Sequence, residues 1–225
     1  MKPIGIIGGM GPEATILLMQ KVLRAVEARD DADHIPLIVH QNPAVPSRIA
    51  ALIDGVGDDP APVLRQMAQD LQASGATALA MPCNTAHHYA QAVRQASDLP
   101  FLDMIAETTE VLRKSGARRI GMLASPAVRM AKVFDAQFAT AGLEAVFLTP
   151  DDGLLTVIRA VKAGRVGAAA AMLPLLVEAL IDAGADHLLI ACTELSMLTQ
   201  ELPETVGWTD SLDCLVARIA LEARG

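Results

Sequence analysis

The 225-residue chain is short of several things, and each shortage removes a class of function. One Trp, one Tyr and four Phe are too few to build a base-stacking platform or an aromatic cage. Three cysteines, with no C-x-x-C and no Cys/His pairing at zinc spacing, exclude a disulfide framework and a structural metal, so any reactive cysteine is a thiol. Positive charge is scarce: 18 Lys and Arg stand against 26 Asp and Glu, a net charge of −8 with no basic run, so nucleic acid is not an expected partner. Long apolar runs are missing too. Hydrophobic residues make up 52% of the chain, yet charge interrupts them well before the roughly 20 residues of a membrane span. The apolar stretch in Met1-Lys2-Pro3-Ile4-Gly5-Ile6-Ile7-Gly8 is shorter than that of a secretory signal and reads as the first strand of a soluble, cytoplasmic protein that does not engage a membrane.

What the chain does have is alternation. β-rich runs at residues 4–7, 37–40, 78–81, 101–102, 120–123, 145–147 and 187–191 are separated by Ala/Leu-rich stretches of helical period. These stretches cover 14–28, 63–73, 86–96, 106–114, 133–141, 154–163 and 168–183. That order defines an α/β protein with mainly parallel sheets joined by crossover helices.

The chain also repeats itself. Leu71-Gln72-Ala73-Ser74-Gly75-Ala76 leads through an apolar run to Cys83, and Leu180-Ile181-Asp182-Ala183-Gly184-Ala185 leads through another to Cys192. In both, Leu precedes Gly by four residues and the Gly-Ala pair runs into a strand that ends at the cysteine. Ile4-Gly5-Ile6-Ile7 likewise matches Ile120-Gly121-Met122-Leu123. The expected organisation is two similar, pseudosymmetric α/β domains. Residues 1–98 with 211–225 carry Cys83, and residues 99–210 carry Cys192. Open α/β sheets bind ligands at the carboxyl ends of their strands, so an active site in the interdomain cleft is expected to hold both cysteines.

The residues around the cysteines suit proton transfer at carbon. A cysteine at a strand-to-helix junction lies near the positive end of the helix dipole, which is expected to lower its pKa. Backbone N–H groups of Asn84 and Thr85 on one side, and of Thr193 and Glu194 on the other, suit a substrate carboxylate. Removing the proton between an amine and a carboxylate needs a placed base, and inverting the centre needs an acid on the opposite face. One thiolate and one thiol supply both. Cys214, in the amphipathic segment Ser211-Leu212-Asp213-Cys214-Leu215-Val216, reads instead as a small core residue.

Four stretches resemble the aspartate/glutamate racemase family, in particular its aspartate racemase branch: Gly8-Gly9-Met10-Gly11-Pro12-Glu13-Ala14-Thr15, Asn42-Pro43-Ala44-Val45-Pro46-Ser47-Arg48, Met81-Pro82-Cys83-Asn84-Thr85-Ala86-His87 and Cys192-Thr193-Glu194. Val161-Lys162-Ala163-Gly164 and Asp210-Ser211 extend the likeness over nearly the whole chain. The resemblance implies a two-domain fold, often homodimeric, that racemises acidic amino acids without pyridoxal phosphate, metal or other cofactor. It implies that Cys83 and Cys192 are the catalytic acid/base pair, that Arg48 and Lys162 bind substrate carboxylates, and that a C-terminal helix over about residues 212–223 packs on the first domain. A guanidinium also forks onto a carboxylate in two parallel hydrogen bonds, which supports Arg48 independently.

Other candidates carry two readings each. Asn42 either orients substrate or makes an Asx turn before Pro43. His87 either tunes the Cys83 thiol or is a polar first-turn residue, and Glu194 is expected to orient either Cys192 or a neighbouring donor. Gly9-Met10-Gly11-Pro12-Glu13-Ala14 fits a dinucleotide fingerprint, but the second strand ends in His40-Gln41 rather than an acid, so a glycine loop at Met10 and Gly11 approached by substrate or by the opposite domain is expected. One departure from the family pattern stands out. Ser125-Pro126-Ala127-Val128 and Phe134 replace a Thr-x-Gly-Thr stretch and a tyrosine, which points to a wider or less polar substrate. The alternatives are a related enzyme acting on maleate or a hydantoin, and a non-catalytic amino-acid-binding protein.

Overall fold

The structure, a computed structural model, describes residues 1–150 and 152–225. The chain divides into two compact units, Met1–Met104 with Leu212–Gly225, and Ile105–Ser211.

In the first unit four parallel strands, β1 (Ile4–Gly8), β2 (Leu37–Gln41), β3 (Ala78–Ala80) and β4 (Phe101–Leu102), lie in the order β2-β1-β3-β4. Ile4 pairs with Leu37 on one side and with Ala78 on the other, and Leu79 pairs with Phe101. All five residues of β1 are buried, as a central parallel strand covered on both faces requires. One face packs α1 (Pro12–Arg24) and the C-terminal helix through Ile4, Ile6, Leu18, Leu215 and Ile219. The other packs α2 (Ala61–Ala73) and α3 (Ala90–Ala96) through Ile7, Leu64, Met67, Leu71 and Val93. Pro12 opens α1, where its missing N–H removes no hydrogen bond and its fixed φ already suits the helix.

The second unit repeats the plan. Its strands β5 (Arg119–Ala124), β6 (Glu144–Val146), β7 (His187–Ala191) and β8 (Gly207–Asp210) are parallel in the order β6-β5-β7-β8. Helix α4 (Met104–Ser115) enters it from Ile105 onward, followed by α5 (Pro126–Met130), α6 (Asp135–Ala141), α7 (Asp152–Lys162) and α8 (Val166–Asp182); α9 (Ser211–Arg224) returns to the first unit. The doubling reaches single contacts. A Cβ added at Gly5 would lie 2.9 Å from Ala76 Cβ, 3.0 Å from Leu79 Cδ2 and 3.2 Å from Leu71 Cβ. At Gly121 it would lie 2.9 Å from Ala185 Cβ, 2.9 Å from Leu188 Cδ2 and 3.3 Å from Leu180 Cβ. In both units, glycine on the central strand lets the helix before the cysteine strand come close.

Three expectations change. The helix expected over residues 86–96 is a 3-10 stretch, Thr85–Tyr89, followed by the shorter α3, and a second 3-10 stretch, Leu195–Glu201, follows Cys192. Strand β8 has no counterpart in the sequence pattern, because Gly207 and Trp208 are exposed and its short run shows no alternation. The Ser125–Val128 stretch, in which the sequence pattern marks no helix, runs into α5, with Ser125 as its N-cap and Pro126 in its first turn.

Candidate functional site

Parallel strands place all their carboxyl ends on one edge, and the chemistry-bearing residues follow those ends. In the first unit Cys83 comes three residues after β3, with Asn42 and Arg48 on the chain leaving β2, and Met10 and Gly11 after β1. Cys83 is 8% exposed and packs among Ile7, Met10, Val45, Leu79 and Ala86. Its neighbour Asn84 is 2% exposed, a buried polar group beside the thiol. Met10 is 3% exposed, within the same apolar cluster.

The Asn42 loop is held by its own atoms. Asn42 Oδ1 accepts from Ala44 N at 3.0 Å, the Asx turn that Asn-Pro favours. Arg48 donates through Nη1 to the carbonyls of Pro46 (3.0 Å) and Val45 (3.4 Å), while its Nε is buried without a hydrogen-bond partner. A guanidinium folded onto its own loop with a donor to spare is suited to accept a carboxylate. Tyr89, the chain's only tyrosine, was not singled out from sequence. Burial raises its pKa first and the charge of Asp59 second, against the opposing charge of Arg48, which places its hydroxyl within electrostatic reach of that arginine.

The glycine loop has a packing reason. Gly9 N donates to Thr15 Oγ1 at 2.9 Å, and a Cβ at Gly9 would lie 2.4–2.6 Å from the backbone of Asn42. The element approaching this loop is therefore the Asn42 chain of the same unit, and the Gly9 amide is committed to Thr15. Neither fact fits a phosphate cradle.

His87 is 8% exposed and hydrogen-bonded on both nitrogens: Nδ1 lies 2.9 Å from Cys83 O, and Nε2 accepts from Met104 N at 3.2 Å. The two partners fix a neutral imidazole with its proton on Nδ1. Burial holds its pKa below the ordinary 6.5. Below about 6.5 the unfolded chain therefore binds more protons than the folded one, and stability falls as pH drops through that region. Thermal melts from about pH 7 to about pH 5 are expected to show a smaller drop in Tm for His87→Asn than for the parent. His187, lowered by burial as well, keeps part of the dependence in place.

In the second unit Cys192 follows β7 directly. Its Sγ donates to Glu194 Oε2 at 3.0 Å, and Lys162 Nζ, from the last turn of α7, lies 3.1 Å from Glu194 Oε1. Burial of the sulfur first, then the charge of Glu194 and the hydrogen bond to it, push the Cys192 thiol well above its ordinary range. Lys162 and the Glu194 backbone N–H pull the other way without prevailing. The lowered pKa expected from a helix dipole is thus corrected for Cys192: the following segment is a short 3-10 stretch, and a carboxylate 3.0 Å away outweighs it. Thr193 is 3% exposed, the counterpart of Asn84. Ala127, Val128 and Phe134 are core residues, with Phe134 against Phe138 at 5.2 Å between ring centroids. Their departure from the family pattern is accommodated by packing. Among the described residues, no group of three or more His, Cys, Asp or Glu is arranged to hold a metal, and no helix is long and apolar enough to cross a membrane.

The two four-stranded parallel sheets repeat one α/β plan, each with a cysteine past the carboxyl end of its third strand in chain order and a buried polar residue next to it in sequence, and the comparisons with known proteins make this plan that of a racemase, an isomerase. Residues 7–219 match the family model Asp/Glu/Hydantoin racemase, and the chain belongs to that family. It is 26% identical over 218 residues to the broad-specificity amino-acid racemase RacX of Bacillus subtilis (strain 168), covering 94% of each chain. Its fold is similar to that of Picrophilus torridus aspartate racemase, with a TM-score of 0.91 and 27% identity over 100% of this chain and 95% of the other. An aspartate racemase homologue from Pyrococcus horikoshii OT3 is similar in fold at a TM-score of 0.78 and 22% identity, with both chains fully covered.

Proposed function

We propose that this chain racemises amino acids without a cofactor, aspartate or glutamate foremost, with Cys83 and Cys192 working from opposite faces of the α-carbon. The observation that carries the proposal is the chain of contacts Cys192 Sγ to Glu194 to Lys162. A thiol whose pKa is raised by burial and by a carboxylate is held protonated, as a proton donor must be. For one enantiomer, the Cys83 thiolate first takes the α-proton and the Cys192 thiol then gives its own to the other face of the carbanion, leaving Cys83 as thiol and Cys192 as thiolate. The opposite enantiomer runs the steps in reverse, and exchange with solvent resets the pair. Arg48 holds a substrate carboxylate, with the backbone N–H groups of Asn84, Thr85, Thr193 and Glu194 as further donors.

Lys162 takes on a role beyond the one the resemblance implied. Its ammonium offsets Glu194 when Cys192 becomes a thiolate beside it. A lysine already engaged by Glu194 favours a second reading, a substrate range wider than the acidic pair, in line with the broad specificity named for the Bacillus relative. A homodimer and a cytoplasmic setting belong to the same proposal, and sedimentation velocity reads the first.

Glu194→Gln is expected to move the pH–rate limbs set by Cys192 to lower pH. Removing the charge lowers the Cys192 pKa while Lys162 remains, and the new amide N–H can donate to the thiolate. Titration by thiolate absorbance checks it, and an unmoved profile contradicts the role given to Glu194. The function itself is tested by incubating the protein in heavy water with both enantiomers of each common amino acid, following the α-proton by NMR and the products by chiral chromatography. Exchange with inversion is expected for aspartate or glutamate. Binding without exchange across the whole panel would sink the racemase reading in favour of an amino-acid sensor, and conversion of maleate or a hydantoin instead would name a different enzyme.

A further inference from the structure

Each cysteine is followed four residues later by a side chain that reaches the place where the chain changes units. His87 bonds Cys83 O through Nδ1 at 2.9 Å and Met104 N through Nε2 at 3.2 Å. Met104 is the last residue of the first unit before the chain continues at Ile105, and from there α4 packs in the second unit, with Ile105 and Leu112 among Ile120, Met122 and Phe138. Ser196, four residues past Cys192, donates through Oγ to Asp210 Oδ1 at 2.9 Å. Asp210 is 2% exposed and Ser196 4% exposed. The next residue, Ser211, donates through Oγ to Ile190 O at 2.9 Å, on the strand that leads to Cys192, and is the last residue of the second unit before α9 packs in the first.

Unlike side chains thus make the same connection in both halves. A histidine accepts a backbone N–H at one crossing and a serine donates to a carboxylate at the other, so the likeness lies in position and partner segment. Neither contact is needed to fill space. A leucine or methionine would pack a buried position more cheaply than a polar group that must find a hydrogen bond.

We infer that His87 and Ser196 are positioning residues, each tying the turn that carries its cysteine to the adjacent interdomain crossing and so fixing where that sulfur stands. The inference rests on the racemase reading above. His87 fixes the peptide of Cys83, and Ser196 fixes the turn after Cys192. A proton-transfer group displaced by about 1 Å loses up to roughly a hundredfold in rate.

The test is a kinetic comparison of His87→Ala and Ser196→Ala with the parent, on whichever amino acid the parent racemises, beginning with aspartate. Since enantiomers are equal in energy, kcat/KM must fall equally in both directions, by about ten- to a hundredfold, with KM changed far less. The diagnostic quantity is the isotope effect with α-deuterated substrate, measured separately for each enantiomer. Displacing one cysteine makes its own step more rate-limiting. The isotope effect then rises for the enantiomer it deprotonates and falls for the other, so the two variants are expected to show opposite asymmetries. A loss of general order affects both directions alike and yields no such mirror image.

Ser196→Thr, which keeps the hydroxyl, is expected to recover most of the activity. If His87→Ala does not fold, His87→Asn carries the test, since it keeps a donor for Cys83 O and loses only the acceptor for Met104 N. Parent-like kinetics in both variants, or reduced kinetics without the opposite asymmetry, overturn the inference. The racemase reading survives that result as long as the parent inverts its substrate and the cysteine variants do not. Absence of inversion by the parent itself defeats the reading and with it the inference.

Discussion

Alanine at Cys83 or at Cys192 is expected to lower kcat/KM for racemisation by roughly 10²–10⁴-fold, equally for the two enantiomers. A single remaining thiol can take the proton or return it, but inversion requires both acts on opposite faces. The lower bound already corresponds to about 3 kcal/mol of transition-state stabilisation. Replacing a buried cysteine by alanine removes one sulfur atom and costs on the order of 1 kcal/mol of stability, so the activity lost per folded molecule far exceeds any loss through unfolding. Cys214 supplies the comparison. It is as buried as Cys83, at 8% exposed, but lies on α9 within the segment that covers the first sheet. Cys214→Ala is expected to show a similar small loss of stability with inversion per folded molecule unchanged. Chiral chromatography of initial rates, normalised to folded protein by thermal melt, separates the two effects. Parent-level inversion by either Cys83→Ala or Cys192→Ala removes the basis of the two-thiol mechanism.

The fold was legible in the sequence where physics leaves a local mark. Alternation of apolar strands with helical stretches gave the α/β class, and the repeated Leu, Gly-Ala and Cys spacing gave the doubling that Gly5 and Gly121 show atom for atom. Strand β8 left no such mark, because an edge strand half open to solvent needs only Thr209 and Asp210 buried and its register comes from pairing with β7. The site divides in the same way. The Asx turn is one of the two readings that Asn42-Pro43 offers, and Glu194 stands two residues from Cys192 in plain sight. The direction of the Cys192 shift was not readable. It depends on burial and on a 3.0 Å contact, and the dipole expectation assumed a regular helix where a 3-10 stretch lies. The pairing of His87 with Ser196 was hidden for another reason, since the two share a position in the repeat but no chemistry, and only their partners reveal the common role.

Gly9→Ala should rank among the most damaging substitutions at a site that holds no catalytic group. Gly9 has φ +95°, where a side chain costs about 1–3 kcal/mol, and its Cβ would sit 2.4 Å from the carbonyl carbon and 2.5 Å from the carbonyl oxygen of Asn42. Backbone cannot rotate aside as a flexible side chain can, so relieving the overlap moves the loop, at a further 1–3 kcal/mol or so. Together these approach half of the roughly 5–15 kcal/mol by which a typical protein is stable, and Tm is expected to fall by on the order of 10 °C. Gly75 provides the matched control. Its φ is +92°, almost that of Gly9, but nothing lies within 4 Å of an added Cβ. Gly75→Ala therefore carries the backbone strain alone, and the difference in Tm between the two variants measures the Asn42 contact. The same displacement reaches Arg48, six residues further along that loop, so Gly9→Ala is also expected to raise KM for the substrate while Gly75→Ala leaves it unchanged. Equal losses of Tm, with KM unaffected in both, would mean that the loop yields freely to Gly9, and the close approach would no longer explain why two glycines stand at the end of β1.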